Sequence, residues 1–355
     1  MSLIHGGDVE GYKREYGHSP LDFSANISPL GLPDGVKKAI ISALEEADRY
    51  PDPLCRNLTD TIAQTENVPS AYVLCGNGAA DLIYRLVLAK KPKTALIPVP
   101  SFAEYEKALK LTGCEIRYHF LKPENEFQLN ETILSDLTPQ TDLLFLCNPN
   151  NPTGQVISSG LLNDILDRCL EFGITVLLDE CFQEFLEPSM GGSQKDSLKS
   201  RPNLVILKAF TKTFAMAGIR LGYLLTSDFK LLEECRAAGQ PWAVSSLAQA
   251  AGMAALNETD YLKKLKQLIC QERIWMKKEL SQMGIPIIGS HANYLFFYSP
   301  AEGLPHLLKN EGILIRSCDN YIGLEPGYCR VAIKTHPENK RLLAAMWRLL
   351  KGENR

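Results

Sequence analysis

The residues of this chain whose chemistry stands out are a lysine, an aspartate and an asparagine, each placed after an apolar, strand-like segment. Asp179 ends the run Ile174–Leu178, Lys212 comes soon after Leu204–Leu207, and Asn151 lies in the segment NPNNPTG behind a third such run. Ligands bind at the carboxyl ends of strands in α/β sheets, so we expect the three side chains at one sheet edge. A lysine there can form a Schiff base with an aldehyde, although a lysine beside a strand is more often a surface residue.

Together these residues supply what pyridoxal phosphate (PLP) requires of a protein. Lys212 would form the Schiff base, Asp179 would keep the pyridine nitrogen protonated, and Asn151 would donate to the ring hydroxyl oxygen. Their order and spacing, with Arg220 eight residues after Lys212, resemble the fold type I PLP enzymes, the aminotransferase superfamily. The resemblance covers most of the chain and implies PLP as the cofactor.

The resemblance also implies the architecture. We expect an α/β fold of the fold type I PLP-dependent transferase kind, with a large domain whose mostly parallel sheet is flanked by helices, and a small α+β domain. Residues 1–30 would form an N-terminal arm packing with the small domain, 31–255 the PLP-binding large domain and 256–355 the small C-terminal domain. Alternating strand and helix signals through about residue 230 favour the parallel sheet.

Several elements are predicted from apolar spacing. Helices are expected over Asp34–Ala47 and Thr259–Met283, and strands of the small domain over Tyr294–Tyr298, Ile313–Arg316 and Cys329–Ile333.

A glycine-rich segment is the candidate site for the cofactor phosphate. Gly76–Ala80 follows the short apolar run Tyr72–Cys75 and opens a helix-like run from Asp81, so free backbone N–H groups would meet an anion. Taken alone, it would be an ordinary turn. Ala209 stands where many members of the superfamily have Ser or Thr, so we expect one phosphate hydrogen bond to be missing. The resemblance assigns these residues to the cofactor: Gly78, Ala79, Phe102, Asn151, Asp179, Thr211, Lys212 and Arg220.

Two of the aromatic assignments depend on the resemblance. Phe102 sits where the superfamily stacks an aromatic ring on the pyridine, and a core phenylalanine is the alternative. The resemblance implies a homodimer in which Tyr50 reaches the PLP phosphate of the other subunit. A buried core tyrosine is the alternative for Tyr50.

A narrower resemblance concerns the reaction. The segments His5–Gly7, Asp22–Gly31, Arg49–Asp52 and Ile313–Tyr321 are similar to the threonine-phosphate decarboxylases of cobalamin biosynthesis, which make aminopropanol phosphate. These enzymes are related to the histidinol-phosphate aminotransferases, which have tyrosine where this chain has Phe182. Because phenylalanine cannot hydrogen-bond the ring oxygen, Asn151 would be its main protein donor. The decarboxylases tend to carry phenylalanine at this position, so the difference favours them. An aminotransferase acting on histidinol phosphate or an aromatic amino acid remains the alternative.

Two arginines are candidates for binding a doubly anionic substrate. Arg316 and Arg330 lie on separate strand-like segments, and each guanidinium can bind an oxyanion through two parallel hydrogen bonds. Either one alone could be a surface residue. The resemblance implies a small phosphorylated amino acid as substrate, with Arg330 on its carboxylate and with Arg316, His5 and Asn26 on its phosphate. Gly6 and Asn151 are the further substrate residues that it implies.

Composition excludes several other classes of protein. With 38 Lys and Arg against 41 Asp and Glu, the net charge of −3 gives no basic excess for nucleic acid or anionic lipid. No signal peptide or membrane-spanning run is recognised, so we expect a cytoplasmic protein. The ten cysteines lie at least eleven residues apart, which argues against paired zinc ligands, and no metal site is expected. A PLP-binding regulator would need a DNA-binding extension, and an inactive scaffold would be expected to lack Lys212 or Asp179.

Overall fold

A computed structural model describes residues 6–299 and 301–351. Its helices are α1 Val9–Tyr16, α2 Asp34–Ala43, α3 Arg56–Glu66, α4 Gly78–Lys90, α5 Ala103–Lys110, α6 Ile133–Asp136, α7 Ser159–Phe172, α8 Phe210–Thr213, α9 Phe229–Ala237, α10 Ser246–Leu256, α11 Thr259–Gln282, α12 Leu304–Asn310 and α13 His336–Lys351. Its strands are β1 Leu21–Asp22, β2 Val73–Gly76, β3 Thr94–Val99, β4 Glu115–Phe120, β5 Leu143–Cys147, β6 Thr175–Asp179, β7 Leu204–Ala209, β8 Gly222–Leu225, β9 Ile287–Ile288, β10 Tyr294–Tyr298, β11 Ile313–Leu314, β12 Arg316–Ser317 and β13 Tyr328–Ala332.

The large sheet has seven strands in the order β2-β8-β7-β6-β5-β3-β4. Neighbouring strands run parallel, apart from β8, which is antiparallel to both β2 and β7. The predicted mostly parallel sheet is therefore confirmed. β3, β5 and β6 are buried along their whole length, as expected for strands covered by helices on both faces.

The register of the central strands explains the clustering of polar residues. Cys147 at the end of β5 pairs with Asp179 at the end of β6, and Asp179 pairs with Leu207 in β7. The segments that leave these parallel strands therefore start side by side at one sheet edge. Asp179 is itself the last residue of its strand.

A four-stranded antiparallel sheet, β12-β13-β10-β9, forms the small α+β part of the molecule. Apolar residues of α11 and α13, such as Leu265 and Met346, share a buried cluster with those of β10 and β13. β1 pairs in parallel with β11, which ties the N-terminal segment to this region. The predicted domain boundaries at residues 30 and 255 stay a prediction. Phe182 and Phe185 lie within the predicted large domain, yet they belong to the same buried cluster as the small sheet.

Some predicted boundaries need correction. The strand predicted over Ile313–Arg316 is two strands, because the chain changes partner at Ile315: β11 pairs with β1 and β12 pairs with β13. The helix predicted over Asp34–Ala47 is α-helical to Ala43 and then tightens into a 3₁₀ turn. Among the described residues, no helix is long and apolar enough to span a bilayer.

Candidate active site

A cavity of about 130 Å³ lies where β5, β6 and β7 end. Seven of the residues assigned to the cofactor line it: Ala79, Phe102, Asn151, Asp179, Thr211, Lys212 and Arg220. The remaining lining residues are Ala80, Cys147, Cys181, Phe182 and Ala209. The structure thus brings together residues that span more than 140 positions of the chain.

Asp179 is buried at the floor of the cavity, and both of its carboxylate oxygens have partners. The Cys181 backbone N–H donates to Oδ1 over 2.9 Å, and the Tyr105 hydroxyl donates to Oδ2 over 2.6 Å. Burial raises the pKa of Asp179, while these hydrogen bonds and the charge of Lys212 oppose the rise. The two donors orient the carboxylate and favour its charged form.

Tyr105 is the partner of Asp179 that the sequence analysis missed. It lies in α5, is fully buried, and stacks on Phe145 with ring centroids 4.7 Å apart. Its edge meets the ring of Phe102, 5.6 Å away. Phe102 is the N-cap of α5 and Tyr105 lies in its first turn, so the spacing of the two residues predicts no contact with Asp179.

Lys212 lies in the one-turn helix α8, directly after β7. Burial lowers the pKa of its ammonium group to about 8, and the positive charges of Arg330 and Arg220 contribute in the same direction. Cys181 and Asp179 act against this shift. The lowered pKa gives Lys212 a substantial neutral, nucleophilic fraction near neutral pH, which an ordinary surface lysine lacks.

At the opposite end of the cavity, the start of α4 faces Arg220. A Cβ added to Gly78, which has a φ of +83°, would lie 2.6 Å from Arg220 Nη2, so the guanidinium packs directly on the glycine backbone. Arg220 has a φ of 62°, in the left-handed region that favours glycine. Thr211 is buried beside them. Backbone N–H groups, a hydroxyl and a guanidinium therefore converge where an anion would be bound.

Asn151 is held by Arg330. Arg330 Nη1 donates to Asn151 Oδ1, and Arg330 Nη2 donates to the Ser24 carbonyl oxygen over 2.9 Å. The guanidinium also lies 5.4 Å from the ring centroid of Tyr294. Because the Asn151 oxygen is engaged by Arg330, its amide N–H₂ group is the part available to a ligand in the cavity.

Arg316 and Arg330 are direct partners across β12 and β13. Both are buried, and Arg316 Nη2 donates to Asn320 Oδ1 over 2.7 Å while its guanidinium lies 5.2 Å from the ring centroid of Tyr321. Like charges directly opposite each other in a sheet repel. An anionic ligand bound to both guanidinium groups would relieve this repulsion, so the pair is suited to an anionic ligand.

The N-terminal segment contributes to the same region. Asn26 is buried, its carbonyl oxygen accepts from Asn293 Nδ2 over 3.2 Å, and its side-chain Oδ1 has no hydrogen-bond partner among the described residues. A Cβ at Gly6 would lie 2.4 Å from the Ser24 carbonyl oxygen, so only glycine can pack this closely there. His5, which we assigned to the substrate phosphate, lies outside the described residues.

Comparison with known proteins identifies the family. The model of the family "Aminotransferase class I and II" matches residues 19–346, which is most of the chain. The chain is a class I and II aminotransferase family member.

Individual members of the aminotransferase family are also similar to the chain. The threonine-phosphate decarboxylase of Salmonella typhimurium is 40% identical, over 99% of this chain and 98% of that protein. The histidinol-phosphate aminotransferase of Symbiobacterium thermophilum is 31% identical, over 97% and 94%. The crystal structure of histidinol-phosphate aminotransferase from Clostridium acetobutylicum superposes with a TM-score of 0.87 at 31% identity, covering 93% of this chain and 99% of that one.

As an aminotransferase family member the chain depends on PLP, and the residues present fit that cofactor. The closely packed Gly78 and Arg220 would hold the phosphate, and the buried Asp179 carboxylate would face the ring nitrogen. Lys212 lines the same cavity as Asp179 and Arg220. Phe182 lies buried with its ring edge-on to Tyr294, 5.1 Å away, and brings no hydroxyl to the site.

Tyr50 does not line the cavity of its own subunit. Its side chain is 79% exposed and stacks on Trp242 with ring centroids 4.4 Å apart. The alternative of a buried core tyrosine is therefore wrong. The exposed ring remains available to another subunit.

The lowered pKa of Lys212 predicts how PLP capture depends on pH. Only the neutral amine attacks an aldehyde, so the rate at which the apoprotein captures PLP should rise with pH and level off above about 8. A lysine at the ordinary value of 10.5 would show a rise that continues to much higher pH. Stopped-flow absorbance of the apoprotein mixed with PLP measures the profile, and a midpoint near the ordinary lysine value would contradict the assignment.

Removal of the Tyr105 hydroxyl is predicted to lower turnover without disturbing the packing of the site. Phenylalanine keeps the stacking on Phe145 but leaves Asp179 Oδ2 without its donor, which raises the carboxylate pKa further. We expect Tyr105→Phe to lower turnover by about tenfold, since a hydrogen bond to a charged group is worth ~1.5–3 kcal/mol. The acid limb of the pH profile should move to higher pH. Tyr84→Phe, which removes a hydroxyl bonded to Glu104, is the control. An unchanged pH profile in Tyr105→Phe would contradict a positioning role.

Proposed function

We propose that the chain catalyses the PLP-dependent decarboxylation of L-threonine O-3-phosphate to 1-amino-2-propanol O-2-phosphate, a step of cobalamin biosynthesis. The pairing of Arg316 with Arg330, which itself contacts Asn151 of the cofactor cavity, is the observation that favours this substrate most. Threonine phosphate has two anionic groups, a carboxylate and a phosphate, and each can take one guanidinium. The 40% identity to a threonine-phosphate decarboxylase supports the proposal.

Arg330 is the proposed carboxylate ligand. It already contacts Asn151 of the cofactor cavity, so a carboxylate bound to it would lie beside the cofactor ring. Its Nε has no hydrogen-bond partner among the described residues although it is buried, which leaves a donor for an anion. The substrate phosphate is proposed to be held by Arg316, Asn26 and Gly6.

The protein groups divide the chemistry between them. Bound PLP supplies an aldehyde that links to the substrate nitrogen and a ring that withdraws electrons from the bonds of the substrate α carbon. Asp179 holds a proton at the pyridine nitrogen, which keeps the ring electron-withdrawing. Arg330 would hold the substrate carboxylate and so fix which bond of the α carbon is weakened by the cofactor. After CO₂ has left, Lys212 Nζ delivers a proton to the α carbon.

An aminotransferase of the histidinol-phosphate type is the second candidate. The 31% identity to histidinol-phosphate aminotransferases favours it, because the same cofactor residues serve both reactions. In that case Lys212 would remove the proton from the α carbon instead of delivering one. The absence of a hydroxyl at Phe182 is the residue difference that favours the decarboxylase.

The active enzyme is proposed to be a homodimer. Tyr50 and Trp242 are exposed, and further apolar side chains of the same region are exposed with them: Ile41, Leu44 and Leu54. α2, which carries Ile41, packs on α10, and Tyr50 stacks on Trp242 shortly before α10. A second subunit that covers this surface would bring its Tyr50 toward the neighbouring site.

Substrate discrimination by Arg316 tests the proposed binding mode. Arg316→Ala should weaken binding of threonine phosphate far more than binding of threonine, by ~2 kcal/mol or more for a lost charge-assisted bidentate contact. Arg330→Ala should weaken both ligands alike, because both have the carboxylate. Inhibition or binding titrations of the two variants with both ligands measure the difference. Equal losses for both ligands in Arg316→Ala would favour the aminotransferase instead.

A further inference from the structure

Cys55 and Cys75 form a thiol pair outside the active site. Cys55 immediately precedes α3 and Cys75 lies in β2, and both are buried free thiols. The Thr59 N–H donates to the Cys55 carbonyl oxygen over 2.7 Å, and the Thr59 hydroxyl lies 3.8 Å from Cys75 Sγ. The first turn of α3 therefore brings Cys55 close to Cys75, although the two cysteines are far apart in the sequence.

A cavity gives small molecules a path to this pair. It encloses about 280 Å³, and both cysteines line it together with Arg85 and Arg236. Cys55 has a φ of 51°, so the backbone turns sharply where its thiol meets the cavity. Positive charge beside a thiol stabilises the thiolate, the form that reacts with oxidants.

The two thiols differ in acidity. The neighbouring Cys75 thiol lowers the pKa of Cys55, and the charges of Arg236 and Arg85 act in the same direction, whereas burial and the charge of Asp52 oppose them. The Cys55 thiol in turn raises the pKa of Cys75 well above its ordinary value, and burial raises it further. Cys55 is therefore the nucleophile of the pair, and Cys75 is placed to react second.

We propose that Cys55 and Cys75 are a site of reversible disulfide formation that responds to peroxide and controls how tightly the protein holds its cofactor. The Cys55 thiolate attacks one peroxide oxygen and becomes a sulfenic acid, and the O–O bond breaks with release of water. Cys75 sulfur then attacks the sulfur of Cys55, and a second water leaves. Two thiols lose two electrons and two protons, and one hydrogen peroxide becomes two waters. A dithiol reductant reverses the step.

The position of Cys75 connects the pair to the cofactor site. Cys75 is followed by Gly76, the last residue of β2, and α4 begins at Gly78, which packs on Arg220. β2 is an edge strand of the sheet. It hydrogen-bonds to β8 on one side and has no neighbouring strand among the described residues on the other, so it can shift more easily than an inner strand. A disulfide requires an S–S distance of about 2.05 Å, much shorter than a thiol hydrogen bond. The bond would pull β2 toward α3 and displace the N–H groups that face the cofactor phosphate.

The test uses the full-length, PLP-loaded protein treated with hydrogen peroxide. Peptide mass spectrometry without reduction should find the peptides of Cys55 and Cys75 joined, with a mass lower by about 2 Da than the sum of the reduced peptides. The oxidised protein should release PLP about tenfold more readily on dialysis, since displacements near 1 Å are enough to disrupt a site. Dithiothreitol should restore retention.

Matched variants distinguish this site from general oxidation. Cys55→Ser and Cys75→Ser should keep their PLP under the same peroxide treatment, whereas Cys270→Ser on α11 should behave like the unmodified protein. Wild-type protein in which the two peptides stay separate would overturn the proposal, as would a disulfide that leaves PLP retention unchanged. Both readouts are independent of the reaction catalysed, so they hold even if the chain proves to be an aminotransferase.

Discussion

Lys212→Ala is expected to abolish turnover and to remove the yellow colour of the purified protein. Lys212 lines the cavity together with Asp179 and Arg220, and its lowered pKa provides the neutral amine that a covalent link to PLP requires. Alanine has no amine, so the link cannot form and no group remains to move the proton. Absorbance spectra and turnover with threonine phosphate measure both effects.

Lys230→Ala is the matched control, because Lys230 is an exposed lysine of the same part of the chain. It should retain the colour and full activity. Residual turnover of Lys212→Ala above the background without enzyme would show that another group does this chemistry.

Asp179→Asn is expected to lower turnover by about a thousandfold, equivalent to ~4 kcal/mol of activation barrier. An amide has nearly the shape of the carboxylate, but it cannot hold a proton on the pyridine nitrogen as a negative charge does. PLP should still bind, because the phosphate end of the cavity is unchanged. Absorbance measures the bound cofactor, and initial rates measure turnover.

Asp164→Asn, a change at an exposed aspartate of α7, is the control and should be neutral. Near-normal turnover in Asp179→Asn would mean that a residue other than Asp179 faces the ring nitrogen. Loss of PLP together with turnover would instead indicate that Asp179 serves mainly to hold the cavity together.

The core of the central sheet was predictable because its inner strands are continuous apolar runs. β5 of this sheet, like β10 of the small sheet, has the bounds expected from its apolar residues. Parallel strands end at one edge, which brings Asn151, Asp179 and Lys212 together. The break at Ile315 was not predictable, since the apolar pattern continues through it and only the pairing partners change.

Contacts between residues that are far apart in the chain could not be predicted from the sequence. The bond from Tyr105 to Asp179 joins α5 to β6 across 74 positions, and no local pattern specifies it. The direct pairing of Arg316 with Arg330 depends on strand register, which a single sequence does not determine. The exposure of Tyr50 was likewise not predictable, because an aromatic residue by itself fits a core or an interface.

The most direct test of the proposed function is to incubate the PLP-loaded protein with L-threonine O-3-phosphate labelled in its carboxyl carbon. We predict release of labelled CO₂ and formation of 1-amino-2-propanol O-2-phosphate without any added 2-oxoacid. Parallel reactions contain histidinol phosphate with 2-oxoglutarate, and we predict no amino transfer there. Retention of the label in the substrate, together with transfer of the amino group from histidinol phosphate, would contradict the account and identify an aminotransferase.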